Sequence, residues 1–294
     1  MSTNFKLFVT GATGHLGSLV IDALLERVPA DDIVAGVRDP GKETAVAIRK
    51  KGVEVRVADY SQPETLTSAL GGVDRLLLIS GTELGQRRAQ HRNVIQAAKG
   101  AGVNLIAYTS VLHADATPLS IVEEHRETEA DLAASGVPYV LLRNGWYSEV
   151  FFWRLPLALK LGVYPGATGE GRVSPASRAD YAEAAATVLT GEDHAGRVYE
   201  LAGDASFTIS ELVAMVADHM GKPLPFQNMA TEEFRAALLQ AGVPEKHVML
   251  LSEIDAGIAK GAMFDDGKEL SRLIGRATTP FRETAAEVVS RLVV

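Results

Sequence analysis

The chain has 294 residues, 47% of them hydrophobic and 22% charged, which is enough apolar material for one large core with a smaller addition. Its formal net charge of −8 opposes long-range attraction to phosphate backbones and anionic membranes, so we expect neither nucleic acid nor a membrane as a partner. The absence of cysteine excludes disulfides, thiolate nucleophiles and Cys-ligated metal centres, and it fits a reducing compartment.

No apolar run in the sequence has the length and continuity of a signal-peptide core or a membrane span. The run from Phe5 to Thr10 is short and enters a glycine loop, and the stretch from Val150 to Val163 is broken by Arg154, Pro156 and Lys160. We therefore expect a cytoplasmic protein.

The first half of the chain alternates short aliphatic runs with longer helical patterns, which is typical of parallel βαβ units. We predict strands at Lys6 to Thr10, Ile33 to Val37, Val53 to Ala58, Arg75 to Ile79, Leu105 to Thr109 and Tyr139 to Arg143. We predict helices at about His15 to Arg27, Lys42 to Lys51, Pro63 to Leu70, Gln86 to Ala101 and Ser120 to Ala134. This pattern predicts an α/β fold with a Rossmann-like, doubly wound parallel sheet.

The pattern changes after the sixth predicted strand. An aromatic loop and a Gly-rich stretch precede a helix at about Ala179 to Thr190 and a strand at Val198 to Ala202, and the remainder has mainly helical patterns. Those last helices are predicted at Ser210 to Met220, Thr231 to Ala241, Val248 to Lys260 and Phe281 to Val293. We expect residues 1–150 to form the first domain. Residues 151–294 are expected to complete the core and to form a smaller, mainly helical substrate cap.

A glycine loop joins the first predicted strand to the first predicted helix. Gly11, Gly14 and Gly17 stand three residues apart, which lets the backbone turn tightly, approach a pyrophosphate and pack the helix closely against the strand. The alternative, a plain turn with incidental glycines, fits the strand and helix on either side less well. The loop predicts that residues 1–150 bind a dinucleotide.

Arg38 stands at the end of the second predicted strand, where a carboxylate would hydrogen-bond a ribose 2′-hydroxyl in an NAD-binding domain. Its guanidinium can pair with a 2′-phosphate, Lys42 can add charge, and Asp39 is a weaker candidate for the ribose. The alternative is a surface Arg in the turn before Pro40. We predict that NADPH binds more tightly than NADH.

Two further segments follow strands at the same predicted edge of the sheet. Asp59 and Tyr60 close the third strand, either beside the adenine or as a simple turn, and the sequence leaves both interpretations open. Ser80, Gly81 and Thr82 follow the fourth strand, where the ribose and nicotinamide are expected.

The residues of alcohol-oxidising dehydrogenases with this fold are missing. Those enzymes use a Tyr with a Lys four residues later, and no Tyr in this chain has a Lys at that spacing. The corresponding helix carries His125 and Glu129 on one face, which we interpret as a solvated, ion-paired face, with a metal site as the weaker alternative. We expect no metal.

The segment from Arg143 to Glu149 follows the sixth predicted strand and leads into the aromatic run from Val150 to Trp153. Amide, phenol and aromatic surfaces there fit a wall for a flat apolar substrate beside the nicotinamide. An Asn-Gly turn followed by core aromatic residues explains the segment equally well.

The ordered set of motifs resembles a known family over nearly the whole chain. The motifs are GATGHLG (11–17), VRDP (37–40), ADY (58–60), LLLIS (76–80), GQRRAQHRNVIQAAKGAGV (85–103), YTSVLHAD (108–115), LLRNGWYSE (141–149), RADYAEAAA (178–186), ELAGD (200–204) and KGAMFDDGKELSRLIG (260–275). Together they resemble the type 2 NAD(P)H:quinone oxidoreductases, which are NmrA-like atypical short-chain dehydrogenases, with triphenylmethane dye reductase as a near relative.

The resemblance implies a set of residues around NADP(H). They are Gly11, Ala12, Thr13, Gly14, His15, Leu16, Arg38, Ser80, Gly81, Thr82, Asn144, Gly145, Trp146, Tyr147, Ser148 and Glu149, of which Asn144 to Glu149 would lie beside the nicotinamide and substrate. Two features depart from the family pattern: extra residues before Phe5, and Pro175 in place of a more polar side chain. Pro175 weakens the case for the loop 169–177 as a cofactor contact.

The implied reaction is direct hydride transfer from the nicotinamide to a quinone without flavin. Asn144 is the expected orienting donor and Tyr147 a donor or stacking wall, both in a catalytic role, whereas His113 is a weaker candidate. The alternatives are a non-catalytic NADP(H)-dependent redox sensor of NmrA type and a reductase of triphenylmethane or azo dyes. A homodimer is the default expectation.

Overall fold

The computed structural model describes residues 5–292. Its strands are β1 (Leu7–Val9), β2 (Ile33–Val37), β3 (Glu54–Val57), β4 (Arg75–Leu78), β5 (Leu105–Val111), β6 (Tyr139–Asn144), β7 (Tyr164–Gly166), β8 (Arg172–Val173), β9 (Val198–Leu201), β10 (Phe207–Thr208) and β11 (Phe226–Asn228). Its α-helices are α1 (His15–Leu25), α2 (Glu43–Lys50), α3 (Pro63–Ala69), α4 (Arg87–Ala101), α5 (Glu123–Ser135), α6 (Leu155–Leu161), α7 (Arg178–Thr190), α8 (Ile209–Met220), α9 (Thr231–Gln240), α10 (Glu245–Ala259), α11 (Glu269–Ile274) and α12 (Phe281–Leu292).

The central sheet has seven strands in the order β3-β2-β1-β4-β5-β6-β9, and every neighbouring pair is parallel. The strand order reverses between β1 and β4, so their carboxyl ends form the switch point at which such sheets bind ligands. The predicted Rossmann-like, doubly wound fold is confirmed, and β9 adds the seventh strand beside β6.

The inner strands are aliphatic because both faces of the sheet are covered. Every residue of β2 and of β4 is buried. Phe8 of β1 packs into the cluster formed with α3, α4 and α5, while its neighbours Leu7 and Val9 are fully buried and point to the other face. At the edge, β3 exposes Glu54 and Val57, which suits a strand with one unpaired side.

The contacts divide the described chain into two compact units. The first comprises residues 5–115, 121–144 and 178–201, and it holds the seven-stranded sheet with α1 to α5 and α7. The second comprises residues 116–120, 145–177 and 202–292, and it holds the remaining helices with the short pairs β8–β10 and β7–β11. The proposed division at residue 150 stays a prediction. Within residues 5–292, no helix is both long and apolar enough to cross a bilayer.

The structure differs from the sequence-based elements mainly in the second unit. Six elements were not predicted: the strands β7, β8, β10 and β11 and the helices α6 and α11. The strands have only two or three residues each, which is too short for a periodic signal. The predicted helix from Ser120 begins as a 3-10 turn, Ser120–Val122, before α5. Val293, the predicted end of the last helix, and the extra residues before Phe5 lie outside the described part.

Candidate active site

The glycine loop has the backbone geometry of a phosphate-binding turn. Gly11 has a φ of +56°, a conformation that favours glycine, and its carbonyl accepts a hydrogen bond from the Gly14 N–H at 2.9 Å. A Cβ at residue 17 would lie 2.8 Å from the Ala12 Cα and would overlap the Gly11 carbonyl oxygen. Only glycine at position 17 therefore lets α1 pack this closely against the loop.

The N-terminus of α1 is open toward solvent. Gly14 caps the helix without a side chain, and the first turn contains no acidic residue. Gly14 and His15 are exposed and Thr13 is half-buried, whereas Ala12 and Leu16 are buried and anchor the loop. The free N–H groups of an uncapped helix start provide donors for a pyrophosphate, so this end of the helix fits the predicted group.

A hydrogen-bonded brace lies beneath the loop. The Thr10 hydroxyl donates to the Leu77 carbonyl at 3.0 Å and accepts from the Ile79 N–H at 2.9 Å. The Tyr60 hydroxyl reaches Thr10 Oγ1 and lies 2.8 Å from the Ile79 carbonyl oxygen. Burial raises the pKa of Tyr60, so the phenol stays neutral. The brace fixes the ends of β1, β3 and β4 against one another.

Asp59 and Tyr60, for which the sequence left a turn or a place beside the adenine open, have different partners in the structure. Asp59 Oδ1 accepts from the Ser61 N–H at 2.9 Å, which makes Asp59 a turn residue. Tyr60 is a structural brace, a role that the sequence reasoning missed. Its only signal was a Tyr placed directly after a strand of the sheet.

The segment Ser80–Thr82 is held by buried polar groups. The Ser80 N–H donates to Thr109 Oγ1 at 2.9 Å, and the Gly81 N–H donates to His91 Nε2 at 2.9 Å. The Arg87 Nε donates to the Gly81 carbonyl at 2.8 Å. Two neighbouring backbone donors and one acceptor are thus fixed by side chains of β5 and α4.

The hydrogen bonds define the protonation state of His91. The Thr128 hydroxyl donates to the Glu124 carbonyl at 2.8 Å, so it accepts from His91 Nδ1–H, 2.9 Å away. Nε2 then carries no proton and can accept from Gly81. Burial, helped by the positive charge of Arg87, lowers the pKa of His91 to about 3. A neutral imidazole therefore supports the predicted cofactor loop.

Arg38 follows β2 and presents its guanidinium to solvent. Its side chain is 70% exposed, and its Nη1 lies 3.3 Å from Glu83 Oε1. Asp39 is engaged in the turn, since its Oδ1 accepts from the Gly41 N–H at 2.8 Å. Lys42 occupies the N-cap position of α2, where its side chain makes no capping hydrogen bond. At the end of β2, the accessible charge is therefore the cation of Arg38 and not a carboxylate directed at a ribose.

Asn144 is the last residue of β6 and is only 5% exposed. Its backbone carbonyl accepts from the Leu112 N–H at 3.0 Å. Among the described residues, its buried amide oxygen has no hydrogen-bond partner. Because buried polar atoms are nearly always satisfied, this oxygen suits a donor brought by a ligand.

A buried charge cluster surrounds Arg143, next to Asn144. Arg143 donates from Nε and Nη2 to both oxygens of Glu129, at 3.0 and 2.8 Å, and from Nη1 to Glu200 Oε1 at 2.8 Å. Asp115 lies 3.3 Å from the same Nη1, and the Ser110 hydroxyl donates to Glu129 at 2.5 Å. The cluster ties together α5 and the carboxyl ends of β5, β6 and β9.

The charges of this cluster stabilise one another. Burial disfavours a charged guanidinium, but the hydrogen bonds that Arg143 donates to Glu129 and Glu200 outweigh it and raise the pKa of Arg143. Burial would raise the pKa of Asp115, and the nearby Arg143 charge lowers it below its ordinary value. The sequence reasoning missed this cluster. Its available signal was an Arg within an otherwise apolar strand, which requires a partner.

The solvated face predicted for His125 and Glu129 is wrong. The side chain of Glu129 is only 13% exposed and pairs with Arg143, while His125 is buried with its Nδ1 2.8 Å from the Tyr108 hydroxyl. Burial, followed by the positive charge of Arg87, lowers the pKa of His125 to about 3. The two side chains share a helix face but have different partners.

The rest of the predicted substrate segment belongs to the second unit. The Ser148 N–H donates to the Ala176 carbonyl at 2.8 Å, and the Ala176 N–H donates to the Trp146 carbonyl at 3.3 Å. Gly145 and Ser148 are buried, whereas Trp146, Tyr147 and Glu149 are half-buried. The Ser148 hydroxyl has no hydrogen-bond partner among the described residues.

The aromatic residues after this segment contribute to the core of the second unit. Phe152 stacks on Phe281 at a centroid distance of 5.6 Å, and Phe151 meets the edge of the same ring at 6.4 Å. Arg154 forms a buried ion pair with Asp255, with Nη1 3.1 Å from Oδ2. Phe152 is thus a core residue, Phe151 is half-buried beside it, and Trp153 is 72% exposed.

The first unit has an open glycine loop at the switch point and an accessible Arg after β2, and the sequence lacks the Tyr–Lys pair. These features define a dinucleotide-binding oxidoreductase of atypical type. The chain belongs to the NAD(P)H-binding family, whose model matches residues 11–192.

Individual proteins resemble the chain over nearly its whole length. Quinone oxidoreductase 2 of Escherichia coli strain K12 is 52% identical over 284 residues, covering 97% of both chains. The crystal structure of an NADPH-dependent quinone oxidoreductase from Escherichia coli, complexed with NADPH, has a TM-score of 0.92 at 50% identity and covers 96% of this chain and 99% of that one. Triphenylmethane reductase of a Citrobacter species, complexed with NADP(H), has a TM-score of 0.89 at 38% identity, with coverages of 96% and 99%. The family resemblance read from the motifs is confirmed.

Proposed function

We propose that this chain is an NADPH-dependent quinone oxidoreductase that transfers hydride from nicotinamide C4 directly to a quinone, without flavin. The observation that carries the proposal is the 52% identity, across 97% of both chains, to a quinone oxidoreductase. Hydride transfer followed by uptake of one proton converts a quinone to a hydroquinone. A quinone is already an electrophile, so the missing Tyr–Lys pair is compatible with the reaction.

The residues at the carboxyl ends of the first unit's strands fit NADPH, which supplies the hydride when bound. The open N-terminus of α1 with the loop from Gly11 to Leu16 would hold the pyrophosphate, and Arg38 would pair with the 2′-phosphate. Ser80 to Thr82 would lie along the ribose and nicotinamide. The unpartnered amide oxygen of Asn144 offers an acceptor to a donor group of the cofactor.

Asn144 and Tyr147 are the proposed catalytic residues. After hydride transfer, negative charge develops on a quinone oxygen, and a donor placed at that oxygen stabilises it. The side-chain NH2 of Asn144 would donate to the quinone oxygen and orient the ring, and the Tyr147 phenol would donate a hydrogen bond or stack on the ring. Gly145 to Glu149 remain a prediction drawn from the family resemblance.

The test is direct. Purified protein is mixed with NADPH and a simple benzoquinone, and the loss of nicotinamide absorbance is followed beside a reaction without protein. We expect catalytic consumption of NADPH without any flavin absorbance in the protein. Tight NADPH binding without turnover would overturn the proposal and support the redox-sensor alternative.

A second candidate substrate class is triphenylmethane dyes, because a triphenylmethane reductase is 38% identical to this chain and has a TM-score of 0.89. Decolorisation of such a dye, with the same protein and NADPH, measures this activity. A kcat/KM for the dye above that for the benzoquinone would make dyes the better substrate.

Two further properties are proposals from the sequence. A cytoplasmic location agrees with the absence of cysteine, and a homodimer is the default for an enzyme of this kind. Light scattering of the purified protein measures the oligomeric state.

A further inference from the structure

The Arg38 guanidinium is paired with a carboxylate before any phosphate reaches it. Glu83 Oε1 lies 3.3 Å from Arg38 Nη1, and both side chains are more than half exposed. We infer that Glu83 limits the preference of this protein for NADPH over NADH by competing with the 2′-phosphate for Arg38. The inference rests on the proposed placement of the 2′-phosphate at Arg38.

Glu83 is held in its position by a buried amide. Its second oxygen, Oε2, accepts from Gln90 Nε2 at 2.9 Å, and Gln90 is only 7% exposed. The same Gln90 nitrogen lies 3.1 Å from Ser61 Oγ, which fixes the orientation of the amide. Since Gln90 belongs to α4, Glu83 is tied to the body of the first unit and leaves one oxygen directed at Arg38.

The two cofactors differ in what they bring to this carboxylate. A phosphate monoester carries about −1.5 to −2 charge near pH 7, so the 2′-phosphate is repelled by Glu83 and must share or take over Arg38. NADH carries a 2′-hydroxyl in the same place, which can donate a hydrogen bond to a carboxylate. Glu83 therefore weakens NADPH binding and leaves NADH binding unchanged or strengthens it.

The size of the effect follows from the exposure of the pair. Exposed ion pairs are screened by water, and their measured strengths correspond to about a two- to five-fold change in an equilibrium constant. Removing the Glu83 charge should therefore raise the ratio of the NADH to the NADPH dissociation constant by about two- to five-fold at low salt. At about 1 M salt the Debye length is about 3 Å, and the change should largely disappear.

The experiment compares Glu83→Gln with Glu127→Gln as a matched control. Glu127 forms a similar exposed pair with Arg88, at 2.7 Å, in the same unit but on α5. Dissociation constants of NADPH and NADH are measured by calorimetry on the intact protein without quinone. We expect the ratio to rise in Glu83→Gln alone. An unchanged or lower ratio in Glu83→Gln, or an equal rise in the control, would overturn the inference.

Arg38→Ala separates this inference from the proposed cofactor placement. If Arg38→Ala leaves the NADPH dissociation constant unchanged, the placement of the 2′-phosphate is wrong and the inference fails with it. If Arg38→Ala weakens NADPH binding while Glu83→Gln leaves the ratio unchanged, the placement stands and only the role of Glu83 is refuted.

Discussion

Substitution of Gly17 by alanine tests whether the close approach of α1 to the glycine loop is required. The added Cβ would lie 2.8 Å from the Ala12 Cα and 2.9 Å from the Gly11 carbonyl carbon. These are backbone atoms, which cannot turn away as the end of a side chain can, so α1 or the loop must move. Overpacking of this kind costs about 1–3 kcal/mol. For a chain of this size we expect the Tm to fall by about 2–12 °C, at about 2–4 °C per kcal/mol.

The control is Gly100→Ala. Gly100 lies in α4 with negative φ, and a Cβ there meets no atom within 4 Å. Alanine is favoured over glycine in a helix by about 1 kcal/mol, so this variant should be more stable than the parent. Thermal unfolding measures both, and NADPH titration should show weaker binding in Gly17→Ala alone, since the N–H groups of α1 are displaced. Equal Tm values for Gly17→Ala and the parent would refute the steric argument.

Three further predictions follow from the buried polar groups. His91 and His125 have a folded-state pKa of about 3 against 6.5 in the unfolded chain, so the unfolded state binds more protons between these values. Stability should therefore fall as the pH drops from 6.5 toward 3, by up to about 1.4 kcal/mol per pH unit for each histidine. Urea unfolding should show a shallower fall in His91→Gln, and an identical pH profile would contradict the assignment. Arg143→Ala leaves Glu129 without its bidentate partner and should cost about 3–5 kcal/mol, with Arg143→Lys less damaging; urea midpoints within error of the parent would rule this out. Asn144→Ala should reduce quinone turnover with little change in Tm, because its amide oxygen has no partner among the described residues; unchanged turnover would remove Asn144 from the mechanism.

The sheet and the glycine loop could be predicted from the sequence because their signals are local. β2 has the predicted bounds Ile33–Val37, since five consecutive buried residues stand between turn signals. The loop from Gly11 to Gly17 combines a fixed spacing with a strand before it and a helix after it.

The supporting groups of the site could not be predicted because they lie far apart in the chain. Glu129 and Arg143 are 14 residues apart, and Arg143 and Glu200 are 57 apart, so no local pattern relates them. The bond between Gly81 and His91 depends on the packing of α4 against the sheet, which periodicity does not specify. Charge and hydrogen-bonding capacity indicate that such residues need partners but not which ones.

The return of the chain to the central sheet limits how this protein can be divided for engineering. A fragment that ends at residue 150 lacks α7 and β9, and with them Glu200, so it leaves β6 as an unpaired edge and Arg143 without one of its carboxylates. Exchange of the second unit between relatives would need three coordinated replacements, 116–120, 145–177 and 202–292, around the retained segments 121–144 and 178–201. The second unit is therefore more readily transplanted as a set of coordinated segments than as one C-terminal fusion.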